Sequence, residues 1–375
     1  MSAPCYYARL RIIPSDSVGG SFSGMNKGVV LRDFGYNFLG PICSEYMASL
    51  AEHARENQIQ KLVFLAREGY FFRQAYERLA DQGAVTSLPH VYLHASRTFL
   101  FRISIGDRQT WRWSLANKFS GSLRQLLEGR FGFTSRQIEE IFSADELAVN
   151  WVLPYESEAL QAHLSLHIDA LKQCVQSSRQ VYLDYLQSLG LHGAKGLLMV
   201  DVGYAGTIQK LLTRLLETNT HGIYFIATRE GIHQIGRHTA TMNGVYKSGV
   251  KMGDGYLMLD RSLFLESLLT SPDGQFVDIA RASEFSDPPF HFVFGRTAYP
   301  QQHFHELSLI FAGALEAMVH NFDQGVRFSA QEIEHHYDLY VSRRDMFPRA
   351  TWPLFDVDDA ISGNGNVNPM RLFGL

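Results

Sequence analysis

Leu197 to Ile208 reads LLMVDVGYAGTI, and the architecture of the whole chain turns on this stretch. Four apolar residues run into Asp201, a turn holding Gly203 and Gly206 follows, and Thr207 opens IQKLLTRLLE. That is the pattern of a buried strand, a tight glycine turn and an amphipathic helix. Backbone N–H groups of such a turn and of the first helical residues have no partners of their own, so they bind an anion. Glycine lets the backbone approach a phosphate closely, and Thr207 is expected to cap the helix while offering its hydroxyl. Asp201 falls at the carboxyl end of the strand, where open α/β sheets bind their ligands. The stretch therefore predicts a site for a phosphorylated sugar.

A second unit of the same kind lies upstream. KLVFLA (Lys61 to Ala66) has the character of a fully buried parallel strand. Its turn presents Arg67, Glu68 and Gly69, and FFRQAYERLA continues as a helix. An arginine beside a glycine turn at a helix start suits a second phosphate or a diphosphate. The plainer alternative is an Arg67–Glu68 surface pair with Gly69 closing the turn. Both turns would face the same edge of one parallel sheet.

Further strands are expected at HVYLHAS (His90 to Ser96), HGIYFIAT (His221 to Thr228) and GVYK (Gly244 to Lys247). Pro41 to Glu56 reads as a helix with Ile42, Tyr46, Met47 and Leu50 on one stripe. From about Asp107 to Leu189 the patterns are helical: WRWSLANKF, SLRQLLEGRF, SRQIEEIF and a long stretch from Glu158. Helices are also expected near His303 to Phe322 and near Ala330 to Arg344, with an irregular lead-in up to about Lys27. The fold class is α/β: a mostly parallel, Rossmann-like sheet covered on both faces, with a helical insertion and a helical C-terminal segment. The expected division is an α/β core of residues 1–106 and 190–300, an insertion of 107–189, and a C-terminal segment of 301–375.

With 375 residues and 46% hydrophobic content, the chain can build one large core or two modest ones. Lys+Arg number 34 against 38 Asp+Glu, which excludes a broad basic field for nucleic acid. Cys5, Cys43 and Cys174 form no CxxC pair, which points to a reducing cytoplasm. MSAPCYYARLRIIP lacks the apolar core of a signal peptide. LSLIFAGALEAMV (Leu307 to Val319) is too short to span a bilayer and carries Glu316. The expected location is the cytoplasm, with peripheral contact at the inner face of the membrane left open. Neither GxxxxGK[ST] nor GxGxxG occurs, so ATP hydrolysis and dinucleotide chemistry have no support.

VDVGYAGT resembles the phosphoribosyl-diphosphate loop of type I phosphoribosyltransferases, and FLAREGY resembles their diphosphate loop. GYNFLGP (Gly35 to Pro41), FLAREGYFF (Phe64 to Phe72), YLHASR (Tyr92 to Arg97), VDVGYAGTIQ (Val200 to Gln209) and LESLLTSPDG (Leu265 to Gly274) together resemble a bacterial polysaccharide-synthesis family. That family includes glycan-active phosphoribosyltransferases, often fused to a phosphatase of the haloacid dehalogenase class. The resemblance covers about Gly35 to Gly274.

It implies transfer of 5-phosphoribosyl from phosphoribosyl diphosphate, with Mg²⁺, to a lipid-linked glycan of a surface polysaccharide such as O-antigen or capsule. Diphosphate is released, and a separate phosphatase acts next. By the same resemblance, Gly203, Tyr204, Ala205, Gly206 and Thr207 would hold the 5-phosphate. Asp201 would accept hydrogen bonds from the ribose hydroxyls or bias charge toward an oxocarbenium-like transition state. Ala66, Arg67, Glu68 and Gly69 would surround the diphosphate with Mg²⁺, or Glu68 would be the general base for the acceptor hydroxyl. Type I enzymes carry two adjacent acids before the glycine turn, whereas here Val200 precedes the single Asp201. Such a transfer needs its leaving-group charge neutralised, so electrostatics and positioning dominate. Mg²⁺ binds largely through substrate phosphates, so no full protein cage is expected; Glu68 and Asp201 would lie near it.

Arg97 in HASR and Arg229 in IATREG follow expected strands and would meet phosphate or form surface ion pairs. Glu266, an acid flanked by LFL and SLL, is either an internal partner for an arginine or a site residue, acceptor-side base included. LFDVDDAI (Leu354 to Ile361) resembles a phosphatase nucleophile strand, but the sixteen residues after Asp359 leave no room for that fold. HFHE (His303 to Glu306) and EHH (Glu334 to His336) lack zinc-helix spacing and read as solvated helix faces. Trp111, Trp113 and Phe119 fit an aromatic core better than a sugar platform. Two other functions remain open at this point: a nucleotide-sugar-dependent glycosyltransferase, and a non-catalytic phosphosugar-binding subunit.

Overall fold

In a computed structural model, which describes residues 26–283, 289–359 and 365–375, the apolar runs become the centre of one sheet. The expected lead-in lies outside the described residues except for Asn26 and Lys27, and Lys27 already starts a helix. The strands are β1 (Lys61–Leu65), β2 (His90–Leu93), β3 (Leu197–Val200), β4 (Gly203–Tyr204), β5 (Thr220–Ala227), β6 (Gly231–Ile235) and β7 (His238–Ser248). Their spatial order is β2-β1-β3-β5-β7-β6, and β4 continues beside β5 beyond the end of β3. All pairings are parallel except that of β6 with β7. The expected strand at Gly244 to Lys247 is the second half of β7; its first half, HTATMN, is too polar to read as a buried run because it borders the edge strand.

Two layers of helices cover the sheet. A first helix, α1 (Lys27–Phe34), runs through a π-helical turn (Gly35–Leu39) into α2 (Gly40–Glu56). The others that matter here are α3 (Gly69–Asp81), α4 (Arg97–Ile103), α5 (Ile168–Ser188), α6 (Thr207–Leu216), α7 (Leu263–Leu268), α8 (Phe304–Asp323) and α9 (Ala330–Val341). Side chains alternate across a strand, and the two cores follow that alternation. Leu62, Phe64, Leu198 and Val200 pack with α2, α3, α8 and α9, whereas Val63, Leu65, Leu197 and Met199 pack with α4, α5 and α6.

The topology places the site. From β1 the chain moves outward to β2 through α3 on one face. From β3 it moves the other way to β5 through α6 on the opposite face. Parallel crossovers are right-handed, so opposite directions of travel demand opposite faces. The two connections part between β1 and β3, at the point where open sheets leave a crevice beyond their strand ends.

The C-terminal helices belong to the first core. The Phe38 ring lies 5.1 Å from Phe34 and 4.7 Å from Tyr340. Lys27 pairs with Glu306, and Arg327 with Glu45 and Glu52, tying α1 and α2 to the segment of α8 and α9. His336, expected on a solvated face, is 1% exposed, with its Nε2 3.1 Å from the Phe38 carbonyl. It shares the buried side of α9 with Ile333, Tyr337 and Tyr340.

The insertion departs from an all-helical expectation. Its first helix stops at Ser114, and Phe119–Ser122 pairs antiparallel with Asn150–Leu153. The long stretch from Glu158 breaks at His167 into Ser157–Leu166 and α5. Trp111 is buried, its indole N–H donating to the Ile105 carbonyl at 2.8 Å, and Phe119 lies under Arg130. Among the described residues no helix is long and apolar enough to cross a membrane.

Because Phe38 bridges the first and last helices of one core, Phe38→Ala should cost about 3–5 kcal/mol. Denaturant unfolding should show one transition shifted as a whole, not a separate early melting of the C-terminal helices.

Candidate active site

β1 and β3 are neighbours in register, with Phe64 opposite Val200, so the turns after Leu65 and after Val200 emerge side by side. In the first, the Ala66 N–H donates to the Leu93 carbonyl at 3.0 Å and the Arg67 N–H to the Glu68 carboxylate at 3.0 Å. A side chain at Gly69 would put Cβ 2.7 Å from the Phe64 carbonyl carbon, so only glycine lets α3 start this close to β1. The Ala66–Arg67 and Gly203–Tyr204 peptide bonds are both cis.

In the second turn the chain stays bonded to β5 throughout. The Asp201 N–H donates to the Ile223 carbonyl at 3.2 Å, the Phe225 N–H to Val202 at 3.0 Å and the Thr228 N–H to Tyr204 at 2.9 Å. Gly206 then turns left-handed at φ 62°, and a Cβ there would stand 2.2 Å from Met242 Cε. Gly206, not the expected Thr207, is the cap of α6; Thr207 is its first helical residue. The left-handed turn moves the helix start one residue on, and since glycine has no side chain, no side chain caps the first N–H groups of α6.

Buried polar bonds hold this turn in place. Gln209 Nε2 donates to the carbonyls of Thr220 (3.3 Å) and Thr241 (3.1 Å), and its Oε1 accepts from Tyr224 at 2.7 Å. The Tyr46 hydroxyl lies 2.9 Å from both the Asp201 and Ile223 carbonyl oxygens. Lys210 Nζ reaches back along the helix to donate to the Ala205 carbonyl at 2.8 Å. Burial, then the nearby charges of Arg229 and Arg112, lower its pKa to about 8. The Gly203–Thr207 turn is therefore flanked by cations and by helix-start amides.

Carboxyl groups gather between the turns. Asp201 is buried and its Oδ1 accepts from the Val202 N–H at 2.8 Å. Burial first, then the charges of Glu68 and Glu266, hold Asp201 well above the usual carboxylate range, against the Val202 and Gly203 amides. Glu266 on α7 accepts from the Tyr204 hydroxyl at 3.1 Å. Its pKa is raised by burial and by Glu68, while Tyr204, Ser262 and Arg67 oppose the shift. Tyr92, at the end of β2, is raised by burial, with Ser271 hydrogen-bonded to it and with Glu68, Asp273 and Arg67 in electrostatic reach. Burial and mutual repulsion thus favour the protonated forms of Asp201 and Glu266.

The structure thus brings together Arg67, Glu68, Asp201, Tyr204 and Glu266. Arg229 sits near Lys210, and Arg97 opens α4 near Arg130. Tyr92, Ser271 and Asp273 join the site without having been assigned a role, although they lie inside YLHASR and LESLLTSPDG. Lys210 and Arg112 carry no sequence signal; only the helix geometry and the fold bring them near the turn. A cleft of about 250 Å³ lies elsewhere, at the far end of α6, where Arg214 and Arg237 are already paired with Asp107 and Glu217.

Asp201 binds a proton more tightly in the folded protein than in the unfolded chain, so its contribution favours folding at low pH and weakens as pH rises above the unfolded value. Asp201→Asn should therefore raise Tm at pH 8 by a few degrees. The gain should shrink as pH falls toward 4, as measured by thermal unfolding across that range.

No protein-family model matches the chain, and no curated protein matches it.

Proposed function

We propose that the chain is an inverting transferase that moves 5-phosphoribosyl from phosphoribosyl diphosphate to a glycan acceptor, in the way expected of a type I phosphoribosyltransferase-like fold. One observation carries the reading: two glycine turns leave adjacent strands at the switch point, one flanked by amides and cations and the other bearing Arg67, with carboxyls between them. A pentose with phosphate at one end and diphosphate at the other has the matching charge pattern.

In this reading the 5-phosphate takes the amides of Gly203 to Thr207 and the Thr207 hydroxyl, with Lys210 and Arg229 supplying charge. Arg67 and the Ala66–Gly69 backbone hold the diphosphate. Asp201 carries its proton and donates to a ribose hydroxyl. Glu68 is half-buried beside it and takes the proton of the acceptor hydroxyl as that oxygen bonds to the anomeric carbon and the diphosphate oxygen departs.

Mg²⁺ suits the side-chain chemistry, because Glu68 and Glu266 offer only hard oxygen ligands and a cation relieves their mutual repulsion. Bound there with the donor, it would neutralise charge on the diphosphate. Arg112 of the insertion and Glu266, Ser271 and Asp273 after β7 reach this end of the sheet, and the acceptor glycan is assigned to these segments. A lipid-linked acceptor would draw the protein to a membrane face, and the product would need a separate phosphatase.

With donor, Mg²⁺ and a synthetic glycan, the purified protein should release diphosphate and phosphoribosylate the glycan. Arg67→Ala and Asp201→Ala should each lower kcat/KM at least about 100-fold, and Lys210→Met should act mainly through KM for the donor. Calorimetric binding of a uridine-sugar in preference to phosphoribosyl diphosphate would replace the donor assignment. Tight donor binding without diphosphate release for any acceptor would instead mark a binding subunit.

A further inference from the structure

We propose that the insertion holds a transition-metal site, suited to zinc, built from Glu146, His163 and His167. Glu146 comes from the short helix Ala144–Ala148, His163 from Ser157–Leu166, and His167 from the residue that ends the latter helix. Their ligand atoms all lie within 4.8 Å of one another. Glu146 Oε1 is 2.8 Å from His167 Nε2 and 4.0 Å from His163 Nε2.

The decisive detail is His163. Its Nε2 is shielded from solvent and has no hydrogen-bond partner among the described residues, yet it faces Glu146 Oε1 in the cluster. An imidazole nitrogen left so is costly unless something else satisfies it. Two histidines four residues apart share one helix face, and a carboxylate approaches them from a second element. The ring planes are constrained by aromatic neighbours: Phe142 lies 4.5 Å from His167, and Trp151 lies 5.8 Å from His163. That shell fixes the imidazoles and limits water, as surroundings of metal ligands do.

Two neutral imidazoles and one carboxylate are a nitrogen/oxygen donor set suited to zinc rather than to Mg²⁺ or Ca²⁺, which prefer oxygen. Ligands sharing a tetrahedral zinc stand about 3.3–3.5 Å apart. The His163–Glu146 gap must therefore close by about half an ångström, and the His167–Glu146 contact must open by a similar amount. Oε2 of Glu146 remains on the Ser143 N–H and hydroxyl, so the acid is held by its own helix cap while Oε1 binds. A water completes the fourth position. The ion would tie together the helices on either side of the Asn150–Leu153 strand and stiffen the insertion.

The test uses full-length, untagged protein stripped with a chelator and dialysed. Zinc titration by calorimetry should show one equivalent bound, and cobalt should give the absorption of a four-coordinate ion. Zinc should also raise Tm. His163→Ala and His167→Ala should each weaken binding at least about tenfold and lose the Tm increase, each variant being compared with its own metal-free form. Glu146→Gln, which keeps the helix cap, should also weaken binding. Absence of stoichiometric zinc in the wild type, or equal binding by the histidine variants, overturns the assignment.

Discussion

Parallel pairing of β1 with β3 is the constraint from which the rest follows. It sets Phe64 against Val200 and so brings Ala66–Gly69 and Asp201–Gly206 out together. From this pair the two crossovers leave in opposite directions and so on opposite faces, parting above these strand ends. A slip of one residue would turn every side chain of β1 to the wrong layer, exchanging Leu62 and Phe64 for Val63 and Leu65. Register, core and site are one specification.

The site itself is divided by charge. On one flank, helix-start amides, Lys210 and Arg229 form a positive wall; between the turns, Glu68, Asp201 and Glu266 crowd around Arg67. Burying acids this way costs stability, and the cost is offset by bonds that have no ligand-binding role. Gln209 ties α6 to two strands, and Tyr46 sits on the carbonyls of Asp201 and Ile223. Rigid support beneath a destabilised group is what a preorganised site requires.

How much of this could be read beforehand depended on whether a residue's neighbours are local. The buried runs KLVFLA, LLMV and HGIYFIAT declare themselves because both faces of a central parallel strand are apolar. The helices of α2, α3 and α6 declare themselves by period. Phe119–Ser122 is FSGS, which has no apolar alternation, so its pairing with Asn150–Leu153 is invisible until the chain folds. The capping role of Thr207 passed to Gly206 because a left-handed residue, which only the packed turn reveals, decides where α6 begins. Asp201, Glu68 and Glu266 stand out in the sequence as candidates, being acids in or beside apolar strings, and the fold brings them together. Tyr92, Asp273, Lys210 and the His163–His167 pair were not, since their meaning lies in partners distant in the sequence or hidden by the fold.

The layer formed by α8 and α9 has a consequence for synthesis. α8 packs against α1, α2 and α3, and α9 against β7, yet both are encoded about a hundred residues after β3. At ribosomal speeds, that interval lasts about 5–20 seconds. Throughout it the apolar flanks of α1, α2 and α3 that α8 finally buries stand in water, their covering helix still untranslated.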